Sequence, residues 1–170
     1  ICPIHPPKNI QIIANPIINT NDSILVNENS IYSLLPFIKN VFPNTTVTPL
    51  IVSKYVKEQE LNSVLTTIIN IIDDNTLIIA SIDFSHYLKT KDALKNDEIT
   101  LNAIKERDYG KILSLNENYL DSPQSMYLIL KIMENNNIRN MNVIGHTDSA
   151  TLSNNPAVAT TTHFSIKFYP

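Results

Sequence analysis

Glycine is almost absent from these 170 residues: only Gly110 and Gly145 occur. That excludes a Gly-rich phosphate loop and a dinucleotide fingerprint, because both need glycines where backbone closely approaches phosphate. Cys2 is the single cysteine, so neither an internal disulfide framework nor a cysteine-rich zinc site can form. No apolar run is long enough to span a membrane as a helix. A basic excess is lacking too. The net charge is -3 and the pI about 5.8, which gives no global field for nucleic acid, and no basic stripe carries interleaved aromatics. No G-x-S-x-G elbow, HExxH or CxxC is present.

What is present is an apolar fraction of 43% against 17% charged, enough to bury a core and too apolar for a disordered chain. The length suits one domain, spanning 1–170. The 26 isoleucines and 22 asparagines both have AT-rich codons, so genome composition explains the bias. The chain starts at Ile1 with no signal-type stretch. The expectation is a cytoplasmic protein or a piece of something longer, with an N-terminal signal already removed as the other option.

Patterning alternates between strand and helix. Ile10–Ala14 reads as a short strand ended by Pro16. Ile31, Leu34, Leu35, Ile38 and Val41 fall at helical spacing over 30–41, with a kink or a helix start expected at Pro36. Residues 46–53 form a β-branched strand candidate around Pro49. Residues 58–72 read as an amphipathic helix. The continuous apolar run Thr76–Ile82 predicts a strand buried on both faces. Helices are expected over 92–107, 109–115 and from Ser122-Pro123 to Met133, Ser122 being the N-cap and Pro123 the first-turn residue. The last strands are 141–144 and 157–168. This order predicts an α/β fold with a central, mostly parallel or mixed sheet flanked by helices, and a site beyond the carboxyl ends of the strands.

The strongest chemical candidate is Ser81-Ile82-Asp83-Phe84-Ser85-His86-Tyr87, directly after the buried strand. An Asp and a His three apart can share a cleft, the carboxylate orienting the imidazole for proton transfer. The plainer alternative has Asp83 and Ser85 capping the next helix while His86 packs as a half-buried ring. His146, in Ile144-Gly145-His146-Thr147-Asp148, follows another strand, and Gly145 there permits close approach or a positive φ. His5 lies three residues from Cys2, a metal-compatible spacing that two groups alone do not complete. His163 lies in the final strand and reads as structural. Glu28-Asn29-Ser30 reads as a helix N-cap.

These blocks, in order, resemble the Memo family, which includes protein B of the AmmeMemoRadiSam system. Glu28–Ile38 (ENSIYSLLPFI) is similar to its block running from Glu-His-Ser to Leu-Pro-Phe, and Thr48–Val52 to its next strand. Leu77–Tyr87 (LIIASIDFSHY) resembles its Ser-Asp-x-Ser-His-Tyr signature, and Ile144–Ser149 its closing block. Asp97 resembles a residue of the helix after the signature, and Ile1–His5 an early strand end.

The resemblance implies a fold like the class III extradiol dioxygenases, whose non-haem iron is held by two His and a carboxylate, with a further His as acid/base. It implies a Memo-type site using His, His and Cys. His5 then corresponds to a metal His, with His146 as the second candidate ligand. His86 becomes the acid/base His with Asp83 beside it, and Ser81, Ser85, Asn29 and Gly145 line a ligand cleft. The family's Cys falls on Ile144, its Glu-His-Ser His on Asn29, and its first metal His has no counterpart here. Three function readings follow. One is a degenerate metal site binding a small molecule, peptide or anion. A second is a metalloenzyme holding Fe, Cu or Zn if the site is completed. The third is an unrelated α/β module with a structural or interaction role. Radical-SAM and AMMECR-type partners are implied by family association alone.

Overall fold

The computed structural model describes residues 28–155 and 158–170. They fall into two units divided between Ile51 and Val52. The expected strand at Ile10–Ala14 lies outside the described residues, as do Cys2 and His5.

In the first unit, the helix expected over 30–41 is two helices, α1 (Asn29–Tyr32) and α2 (Leu35–Val41). The break has a cause in Pro36, which lies in the first turn of α2, where its missing N–H costs nothing. Glu28 is the N-cap of α1, its carboxylate accepting from Ser30 N at 3.1 Å. Residues 46–51 form no strand.

The second unit, 52–170, holds the core. Helix α3 (Glu58–Ile69) buries Leu61 and Val64, and Glu60 closes its first turn by accepting from Lys57 N. Helix α4 (Thr90–Glu106) ends at Arg107, which takes a left-handed φ of 53°. From there the Arg107 guanidinium donates to the carbonyls of Leu130 and Ile138. Asp108 caps α5 (Tyr109–Ser114). Helix α6 (Pro123–Asn135) starts as its sequence predicts: the Ser122 side chain accepts from Ser125 N and Pro123 opens the first turn. Its Met126, Ile129, Leu130 and Met133 are buried with Ile104, Ile112, Leu115, Leu120 and Phe84 in one core.

The sheet departs from expectation. Among the described residues it has two strands, β1 (Asn140–Asp148) and β2 (Thr162–Tyr169), paired antiparallel, with the short helix α7 (Ser149–Leu152) after β1. Phe164, Ile166 and Phe168 of β2 and Met141 of β1 pack on the core. Between Val143 and Gly145 the register slips, so Ile144 is an extra, 63% exposed residue. The run Thr76–Ile82 joins no ladder. Ile78 and Ile82 pack against the core, but Leu77 and Ile79 stay exposed, as they could not if sheet neighbours and helices covered both faces. The chain instead meets β2 just beyond this run. Phe84 N donates to Thr162 O, Thr162 N donates to Ser85 O, and Leu88 bridges Thr160. The fold of the described residues is thus mixed helix and strand without the expected parallel sheet.

Candidate functional site

The segment Asp83–His86 is bolted down by a buried polar hub. Asp97, on the inner face of α4, has a side chain only 3% exposed. Its Oδ1 accepts from Ser85 Oγ and from Thr162 Oγ1, each at 2.7 Å, and its Oδ2 lies 3.0 Å from His146 Nε2. Ser85 Oγ also lies 3.1 Å from Ala93 O, a second acceptor for the same proton. A carboxylate this buried persists because its donors are supplied by three separate elements. A second hub stands at the end of β1. Asp148 accepts from Thr151 and Thr160, and these bonds hold its carboxyl down at about 2.

Against this fixed frame, Asp83 projects with 45% of its side chain exposed. Its two oxygens face different imidazoles. Oδ1 lies 3.0 Å from His163 Nδ1, and Oδ2 lies 3.7 Å from His86 Nε2. That longer distance is not a hydrogen bond. His86 Nε2 is in fact buried with no hydrogen-bond partner among the described residues. Asp121 enters from the turn before α6, brought there by its own N–H donating to Asp83 O at 3.0 Å. Asp83, His86 and Asp121 each offer a ligand atom, all within 4.8 Å of one another. Asp121 is exposed as a residue, yet its carboxyl pKa is pushed up to about 6, first by loss of water and then by the neighbouring Asp83 charge.

The structure therefore brings Asp83 and His86 together and adds Asp121, which lies 38 positions away in sequence and was not a candidate. Nothing local marks it; an Asp ahead of a Ser-Pro helix start reads as turn chemistry. His163, expected to be structural, touches Asp83. His146 is elsewhere, with Nε2 engaged by Asp97 and its ring stacked on Phe164 at 3.9 Å. Ser81 is exposed just before the cluster. Ser85, expected to line a cleft, is fully buried with its hydroxyl bonded to Asp97 and Ala93. Gly145 has no positive φ, and a Cβ there would meet nothing within 4 Å, so neither reason for a glycine applies. Asn29 opens α1 in the first unit.

The family model for Memo-like proteins matches residues 8–163. The chain belongs to the Memo family. No curated protein and no solved structure matches it. The match runs from before the first described residue into β2, so it takes in Asp83, His86, Asp121, His146 and His163 of this Memo-like chain. No helix among the described residues is long and apolar enough to cross a membrane.

Proposed function

We propose that this Memo-like chain binds a divalent cation at Asp83, His86 and Asp121, and that the bound ion recruits a small ligand. The observation that carries this is the buried, unpartnered His86 Nε2, which faces one carboxylate and has a second within reach. An imidazole nitrogen left so costs free energy that a metal bond would recover, and an ion would relieve the crowding of two carboxylates. The Memo-type set is a poorer fit among the described residues, because His146 Nε2 faces Asp97 and the family's Cys is Ile144. The extradiol dioxygenase-like sheet belongs to the same proposal, supported by family membership alone.

Three protein ligands leave positions open for water or a ligand. One nitrogen and carboxylate oxygens without sulfur suit Fe(II), Mn(II) or Zn(II) better than Cu(I). Such an ion would supply Lewis acidity toward a bound oxygen. The chain's own residues set the geometry. His163 fixes Oδ1 of Asp83 and so turns Oδ2 toward His86. Metal-free acid/base pairing of Asp83 with His86 gains no support from their 3.7 Å separation.

Equilibrium dialysis of the full chain with Fe(II), Mn(II) and Zn(II), read by elemental analysis, tests this. About one equivalent should bind to the wild type and to His146→Asn, and His86→Ala and Asp121→Asn should lose it. His163→Ala should bind about 10- to 100-fold more weakly, as supporting-shell changes do. Less than about a tenth of an equivalent on the wild type, or full retention in both His86→Ala and Asp121→Asn, would overturn the assignment.

A further inference from the structure

Among the described residues, four non-glycine residues have left-handed φ: Tyr87, Arg107, Asn137 and Asn154. Three are explained by helix termination. Arg107 is the C-cap of α4, and Asn137 and Asn154 each follow the C-cap residue of α6 and α7. Tyr87 has no such reason. It precedes α4 instead of ending a helix, and a bulky side chain at φ 53° is a strained outlier. Packing does not repay the strain, because Tyr87 is 80% exposed. The backbone is held there by its neighbours, Leu88 exchanging bonds with Thr160 in both directions while Lys89 O accepts from Asp92 N and Ala93 N. Strain of this kind, over-determined by its surroundings, gathers at ligand sites.

The strained ring lies at a cleft of about 870 Å³, within the range that holds small organic ligands. Tyr87, Ala150 and Val158 give it apolar surface, and Thr151 and Asn154 give it polar groups. Among the described residues its only charged lining residue is Lys89, which has no ion-pair partner there. Asn154, also left-handed, is a second lining residue of the same cleft.

We infer that this cleft is a binding site for a flat organic carboxylate, whose conjugated body lies on the Tyr87 ring while its charge pairs with Lys89. A ring held in the open offers rigid stacking area at little entropic cost, and an unpaired ammonium in a cleft with no acid among its described lining residues selects an anion. The site adjoins the proposed cation site through His86, whose ring meets that of Tyr87 edge-on at 5.4 Å, but it does not depend on metal.

Titration of the metal-free full chain with 2-naphthoate, followed by saturation-transfer NMR, tests the inference. The expected result is saturable binding. Decalin-2-carboxylate, equally charged but not flat, should bind at least about fivefold more weakly. Tyr87→Phe should bind as wild type, and Tyr87→Ala and Lys89→Gln should each weaken binding about fivefold or more. Tyr87→Gly, which removes the strain, should raise or preserve the melting temperature while weakening binding as Tyr87→Ala does. Equal affinity for both carboxylates, unchanged affinity in the two variants, no saturable binding at all, or a lower melting temperature in Tyr87→Gly would each overturn it. Because no metal is present, failure here is separable from failure of the cation site.

Discussion

At the scale of single residues, two carboxyl groups bend the pH dependence of stability in opposite directions. Asp121 has its folded pKa raised to about 6 from an ordinary 3.8. Between those values the folded chain keeps a proton that the unfolded chain releases, so stability falls as pH rises through the window and stays lower above it. Asp148, lowered to about 2, does the reverse: its contribution is complete above 3.8 and is lost as pH falls toward 2. Thermal melts from pH 2 to 8 without metal should show that Asp121→Asn flattens the slope between 4 and 6 and melts higher than wild type at pH 7. Asp148→Asn should melt lower than wild type at pH 7, with the gap closing toward pH 2. The roles of Asp121 and His163 were not legible in the sequence, since each depends on a contact with Asp83 across 38 and 80 positions. The conjunction of Asp83 and His86 was legible, because three residues of spacing after an apolar run brings them onto one side of a turn.

At the scale of elements, helices were the readable part. Spacing at 3.6 residues located α3, α4, α5 and α6, and the Ser122-Pro123 pair marked the start of α6 to the residue. Such signals are local, since caps and faces are properties of neighbouring residues. Strands were less readable because a ladder needs a distant partner. Thr76–Ile82 has strand composition and no ladder among the described residues. Asp97 is where elements are joined: α4 supplies the carboxylate, β2 the Thr162 hydroxyl, β1 the His146 ring and the site segment Ser85. Replacing Asp97 with Ala would leave the buried Thr162 hydroxyl proton without its acceptor, leave Ser85 only Ala93 O, and free His146. A loss of about 3 kcal/mol in urea unfolding is expected, with reduced cation affinity as the site segment loosens. Asp97→Ala unfolding within about 0.5 kcal/mol of wild type would show that the hub contributes little.

At the scale of the molecule, stability and ligand occupancy are linked. A cation that binds only the folded chain should stabilise it by about 2.7 kcal/mol at a hundred times its Kd. Scanning calorimetry with rising Zn(II) should therefore show a melting temperature that climbs with the logarithm of metal concentration in wild type and stays flat in Asp121→Asn. A wild-type melting temperature indifferent to metal would remove the cation from the folding equilibrium. The core that responds to such binding is made by α4, α5, α6 and the paired strands, with Phe84 anchoring the site segment in it.

The slip at Ile144 has a consequence for how β1 serves both halves of this arrangement. Met141 and Val143, opposite Phe168 and Ile166, carry odd numbers; His146, opposite Phe164, carries an even one. The spare residue acts as a phase shifter. It lets one strand turn Met141 and Val143 to the face of Phe168 and Ile166 along its first half, and then, after skipping a beat, an imidazole on the same face at the buried carboxylate. Strict alternation would send His146 to the other side. It also explains why the strand read from sequence ends at Ile144: the strand continues there in the opposite parity.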